Sequence, residues 1–347
     1  MKRKNKYIMY LIVTVMILSL SGCKKNTKKE SMDRTNFMMD TVMTIKVFDS
    51  NDEKILDEVF ERIEEIESKM SRTIEDSDIN LINENAGVKP VEVSEDVYLV
   101  IKTAKQYAEI SNGAYDPTIG PLVNLWDINE EGEIEKDSIP SEEKILEEKS
   151  KVDFTKLELL EDNKVFLSEK DMILDLGGIA KGYAADEIGR ILKEKGVESA
   201  IIDLGGDIYA LGFKPVEQPW KIGIQNPFEH RGSYVGIAEI KNKSIVTSGD
   251  YERYFELDNV RYHHIIDSKT GYPANNELSA VSIISDNSMD GDAISTAVFI
   301  LGKDKGLQFI NELEGVDALL ITKDSQIYMT DNFKDIFTLK NNGFKIK

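Results

Sequence analysis

Five extended apolar segments, Ala200 to Leu204, Trp220 to Gln225, Tyr234 to Ile240, Val260 to Ile266 and Leu278 to Ile284, follow one another with no helical periodicity between them. A parallel doubly wound sheet needs a crossover, usually a helix, between successive strands, so this half of the chain cannot be one. Met172 to Leu176 reads as a sixth strand. Helical spacing is confined to a few stretches. Ile55, Val59, Ile63, Ile66 and Met70, with Leu56 and Phe60 beside them, mark an amphipathic helix over residues 52 to 70. Further helices are expected from the N-cap Ser94 to Ile110, from Ile179 to Lys195 with Gly196 as its stop, and from Asp292 to Leu301. The fold class is therefore α+β, with mixed, largely antiparallel sheets and flanking helices. Hydrophobic residues make up 41% of the 347, enough for a large packed core. The acidic, apolar-poor stretch Asn129 to Lys151 reads as a surface excursion.

The N-terminus carries an address. Lys2, Arg3, Lys4 and Lys6 precede a largely apolar run from Tyr7 to Leu20, too short to span a bilayer, which needs about 20 apolar residues. The run leads into Leu20-Ser21-Gly22-Cys23, and Cys23 is the one cysteine of the chain. Residues 1–22 resemble a lipoprotein signal peptide whose cleavage leaves a diacylglyceryl anchor on Cys23. Residues 23–32 read as a solvated tether, and the folded domain is expected over 33–347, held at the extracytoplasmic face of the cell membrane.

Charge and cysteine content remove whole classes of function. Asp and Glu outnumber Lys and Arg by 63 to 43, a net −20, so the chain lacks the basic footprint that nucleic acid requires. A lone cysteine forms neither an intrachain disulfide nor a four-cysteine zinc site. Pieces of a penicillin-recognising serine enzyme are present, S-x-x-K at Ser141 to Lys144, K-T-G at Lys269 to Gly271 and S-D-N at Ser285 to Asn287, but in the wrong order. His263, His264 and Asp267 make a poor zinc set, because adjacent histidines in a strand diverge.

Four segments carry chemistry. In Asp175-Leu176-Gly177-Gly178-Ile179-Ala180-Lys181, backbone N–H groups freed by glycine at a helix start suit a phosphate, with Lys181 to neutralise it; tight strand-to-helix packing explains the paired glycines equally well. The stiff loop Gly113 to Pro121 presents Tyr115 and Asp116 for a flat polar ligand, or is a structural turn. His263 and His264 close a strand, so one should point into a site and the other away; a histidine there suits general-base work or fills a structural hydrogen bond. Asp292 and Thr296 share one face of a helix, with Ser295 adjacent, as oxygen ligands for a hard cation such as Mg²⁺ or as a cap and a core residue. The run Ile173 to Gly178 is also echoed by Ile201-Ile202-Asp203-Leu204-Gly205-Gly206.

Together these segments resemble the ApbE family of FAD:protein FMN transferases. Met39-Asp40-Thr41, Met70-Ser71 with Asp76 to Ile79, Gly113 to Gly120, Leu174 to Asp186, Asp203 to Gly206, Trp220 to Pro227, Thr247 to Tyr251, His263 to Pro273 and Asp292 to Gly302 run in the family's order. The resemblance implies a single ApbE-like domain that cleaves FAD with Mg²⁺ and links FMN through a phosphoester to a Thr or Ser hydroxyl of a target flavoprotein, releasing AMP. Met39, Ala114, Tyr115, Asp116, Asp175, Lys181 and Ile266 would contact FAD. The Gly178 carbonyl, Asp292, Thr296 and possible ligand Ser295 would hold Mg²⁺, and His264 would be the base beside the catalytic Asp292. Asp40 stands where glycine is frequent and Ser268 where proline is common. The implied acceptors are extracytoplasmic flavoproteins such as the FMN-binding domains of membrane redox complexes. The same site also fits a non-catalytic FAD-binding lipoprotein, or a Mg²⁺-dependent pyrophosphatase giving AMP and FMN.

Overall fold

Strands β1 (Met32–Met38) and β2 (Thr41–Val47) form the first hairpin of the protein, for which the computed structural model describes residues 31–128, 139–215 and 217–347. The expected signal peptide, Cys23 and nearly all of the expected tether lie outside the described residues. Met32 is already buried in β1, one residue ahead of the expected domain start. Helix α1 (Glu53–Met70) buries all seven apolar residues of its stripe, and its N-cap Asp52 accepts from the Lys54 N–H. There follow α2 (Asp78–Glu84), β3 (Val91–Glu92), α3 (Glu95–Ile110), α4 (Gly120–Trp126), α5 (Glu142–Lys149), β4 (Leu157–Leu160), β5 (Lys164–Leu167) and α6 (Ala180–Glu194). Ser94 stands at the start of α3, but its hydroxyl donates to Asp78 on α2 instead of accepting a backbone N–H.

The second half supplies β6 (Ser199–Leu204), β7 (Asp207–Gly212), β8 (Trp220–Gln225), β9 (Tyr234–Ile240), β10 (Lys243–Gly249), β11 (Tyr254–Leu257), β12 (Val260–His263) and β13 (Leu278–Ser285). Then come α7 (Ser288–Asn311), β14 (Asp317–Thr322), β15 (Gln326–Met329), α8 (Asp331–Ile336), β16 (Phe337–Leu339) and β17 (Lys345–Ile346). Nine strands form one sheet in the order β1-β2-β6-β7-β10-β13-β14-β15-β17, antiparallel except for the last pair. Its two faces serve two cores. Val281 and Ile283 of β13 meet the helices, while Ala280 and Ile284 meet the small sheet β16-β9-β8. Covered on both sides, β13 is buried along its whole length, which is why it reads as continuously apolar. A bulge between Leu278 and Ala280 inverts the alternation and sends Leu278 to the helical side.

On the helical side α1 packs on α6 and α6 on α7, and α7 lies across β10 and β13. The α6–α7 crossing is close because residue 182 is glycine: a Cβ there would strike the Ser288 backbone. Helix α7 begins four residues before the expected Asp292, on the N-cap Asn287, and is broken at Gly302 by a φ of 76°.

Two expected strands differ. Met172 to Leu176 is extended but is no strand, because its backbone partners are not a neighbouring strand. The Asn83 side chain takes both the N–H and the C=O of Leu174, and Asp175 N–H donates to Pro117. Val260 to Ile266 stops as a strand at His263, since β11 begins opposite it at Tyr254; Ile265 and Asp267 then bond to Ala274 and Tyr272. The acidic stretch is no mere excursion either: Ile145 of α5 is buried with Leu122, Trp126 and Ile266.

Candidate active site

A cavity of about 340 Å³ opens where the β1–β2 turn, the end of α1, the 113–120 loop, the starts of α6 and β7, the end of β10 and the first turns of α7 converge. Each wall is built locally. Met39 and Asp40 sit in the turn with φ of 48° and 56°, the left-handed region that glycine favours and aspartate tolerates, so Asp40 keeps the turn a glycine would make. Asp116 accepts the Thr118 N–H and hydroxyl at 2.8 and 2.6 Å, which folds the 113–120 loop onto itself, and burial pushes its carboxyl up. Ser268 donates to the Gly113 carbonyl at 3.0 Å, so a cross-loop hydrogen bond stands where a proline ring is common.

The glycine turn is clamped by Asp175. One carboxylate oxygen accepts the Gly177 N–H at 2.7 Å; the other meets Arg72 Nε at 2.7 Å. Asp203 does the same for Gly206 N–H in the echoed segment. Gly178 lies against two cavity groups: a Cβ there would stand 3.2 Å from Tyr115 Cε2 and 3.5 Å from Thr296 Oγ1. The Tyr115 hydroxyl is buried with no hydrogen-bond partner among the described residues, which costs about 1–3 kcal/mol unless a ligand supplies one.

Lys181 Nζ lies 3.0 Å from Asp207 Oδ2 and 3.6 Å from Asp292 Oδ1, and Asp292 Oδ2 accepts the Gly182 N–H. Burial pushes the Asp292 carboxyl up, against the pull of Lys181. The Lys181 ammonium thus stands between two buried carboxylates. The Asp292 carboxylate, the Thr296 hydroxyl one helical turn on and the Gly178 backbone form an all-oxygen set suited to a hard cation. Among the described residues no three His, Cys, Asp or Glu side chains converge as a metal site.

Of the two adjacent histidines, His264 lines the cavity and His263 turns into the core, its Nε2–H donating to the Ala274 carbonyl. The Arg253 carbonyl lies 3.3 Å from His264 Nδ1 and can only accept, so Nδ1 carries the proton and Nε2 the lone pair. Burial, then the Arg253 charge, hold this ring down to about 3, hence neutral.

Met39, Ala114, Tyr115, Asp116, Asp175, Gly178, Lys181, His264, Ile266, Asp292 and Thr296 all line the one cavity. Ser295 does not: its hydroxyl bonds to the Asp292 carbonyl and to Ser248, which itself lines the cavity. Arg72, Asp207, Glu252 and Arg253 line the cavity without having been singled out in the sequence. Asp207 was within reach, since it follows the echoed Asp203-Leu204-Gly205-Gly206 directly.

The ApbE family model matches residues 39–320. A Klebsiella pneumoniae protein named FAD:protein FMN transferase is 36% identical over 313 residues, covering 89% of this chain and 95% of its own. A Treponema pallidum protein of the same name is 33% identical over 345 residues, 94% of each. Among solved structures, the flavin transferase ApbE from Vibrio cholerae superposes with a TM-score of 0.80 at 28% identity, and the ApbE protein from Thermotoga maritima with 0.79 at 34%; each comparison covers 88% of this chain and 99% of the other. With its fold, its cavity and the family pattern in agreement, the chain belongs to the ApbE family.

Proposed function

We propose that this protein is an FAD:protein FMN transferase, moving FMN from FAD to a Thr or Ser hydroxyl of another flavoprotein and releasing AMP. One observation carries the reading: residues from four separate segments, Tyr115, Gly178 with Lys181, His264, and Asp292 with Thr296, face a single cavity.

The acceptor hydroxyl oxygen attacks the phosphorus on the FMN side of the diphosphate, the bond to the AMP oxygen breaks, and the hydroxyl proton passes to His264 Nε2. A neutral ring is competent for this, and the approach of an anionic diphosphate raises its basicity. Lys181 neutralises charge on the phosphoryl oxygens. The Gly178 carbonyl, Asp292 and Thr296 would hold Mg²⁺, which would supply Lewis-acid polarisation of the diphosphate. Ser295 supports that set from behind through the Asp292 carbonyl. No protein nucleophile is required.

The acceptors we infer are extracytoplasmic flavoproteins such as FMN-binding domains of membrane redox complexes, met by an enzyme anchored through lipid on Cys23. The test is to incubate the protein with FAD, Mg²⁺ and such an acceptor domain and to analyse all products by mass. The expected result is an acceptor heavier by one FMN less water, with AMP in equal amount. AMP with free FMN and an unmodified acceptor makes the protein a pyrophosphatase, and intact FAD makes it a binder.

A further inference from the structure

The cavity holds a buried carboxylate to which the family pattern gave no part. Asp207, at the first position of β7, is 5% exposed and pairs with Lys181 Nζ at 3.0 Å, while the same ammonium stands 3.6 Å from Asp292 Oδ1. The other Asp292 oxygen is already taken by the Gly182 N–H at 3.1 Å. Oδ1 is therefore the oxygen that Asp292 has left for a cation, and Lys181 is the group competing for it.

The geometry points to Asp207 as the positioning residue that decides this competition: it anchors the Lys181 ammonium away from Asp292 Oδ1, keeping that oxygen available to a divalent cation and the ammonium available to the substrate's phosphoryl oxygens. Lys181 lies in the first turn of α6 and Asp292 in the second turn of α7, two helices locked together at Gly182. Asp207 comes from the sheet, its other oxygen 3.4 Å from the Thr247 N–H. The ammonium is thus suspended between a helical and a strand carboxylate. Remove the strand partner, and the low-dielectric site drives Lys181 fully onto Asp292, since a buried charge left with one partner closes on it.

This rests on the cation site proposed above, and its test separates the two. Mn²⁺ alone is titrated into the protein without FAD, with free Mn²⁺ read by electron paramagnetic resonance. Asp207→Asn is expected to weaken Mn²⁺ binding by about tenfold, the scale on which groups behind a ligand act. Lys181→Met, alone or combined with Asp207→Asn, removes the competitor and is expected to bind Mn²⁺ at least as tightly as the unaltered protein. Unaltered affinity in Asp207→Asn, or a double variant as weak as that single one, overturns the inference and leaves the cation site standing. An unaltered protein that takes up no Mn²⁺ overturns the site and this inference with it. Should Asp207→Asn fail to fold, Lys181→Met decides by itself: weaker Mn²⁺ binding contradicts a competing ammonium.

Discussion

His264 is fixed at both ends of its role. Its backbone N–H and its Nδ1 both bond to the Arg253 carbonyl, so the ring cannot turn without losing a partner, and the free lone pair sits on Nε2. His264→Ala is expected to lower kcat for flavin transfer by about 10²–10⁴-fold, the usual worth of a positioned base, with little change in FAD affinity measured by fluorescence quenching. A rate within a few-fold of the unaltered enzyme would remove the assignment. His263 does a different job. Burial pushes its pKa down to about 4, so the unfolded chain, with an ordinary value of 6.5, binds the proton first as pH falls. The stability it contributes is present above pH 6.5 and lost as pH falls towards 4, up to about 3 kcal/mol for a shift of this size. In urea unfolding across that range, the advantage of the unaltered protein over His263→Gln is expected to shrink as pH falls; a gap independent of pH contradicts this.

At the scale of elements, the crossing of α6 and α7 sets the distance between Lys181 and Asp292. Gly182→Ala puts a methyl group into the Ser288 backbone, and overpacking of this kind costs about 1–3 kcal/mol. Because the displaced helices carry both sides of the cation site, weakened Mn²⁺ binding is expected alongside the lower melting temperature; a stable variant with full affinity would show that the close approach does not matter. The same scale shows what could be read in advance. α1 was legible from its apolar stripe because all of that stripe is buried. β13 was legible because both of its faces are covered. Met172 to Leu176 misled because a side chain, Asn83, supplies the backbone bonds that a neighbouring strand would. Period and propensity report burial, not the partner. Asp207 was within reach because it follows the echoed Asp203-Leu204-Gly205-Gly206, but its part shows only once Lys181 is seen 3.0 Å away.

For the whole molecule, one large sheet separates two apolar layers and leaves the cavity at the edge of the helical one, where loops from both halves of the chain meet. Among the described residues no helix is long and apolar enough to cross a membrane. The lipid anchor proposed at Cys23 has its own test. Metabolic labelling with a fatty acid is expected to mark the full chain and to be abolished by Cys23→Ala, with the protein then released from the membrane fraction; label retained by Cys23→Ala would refute the anchor. The most direct test of the central claim is a crystal structure of the protein with FAD and Mg²⁺. The account predicts the diphosphate bridged by the ion beside Gly178, Asp292 and Thr296, with His264 Nε2 facing the FMN-side phosphorus. A diphosphate bound away from those residues would contradict it.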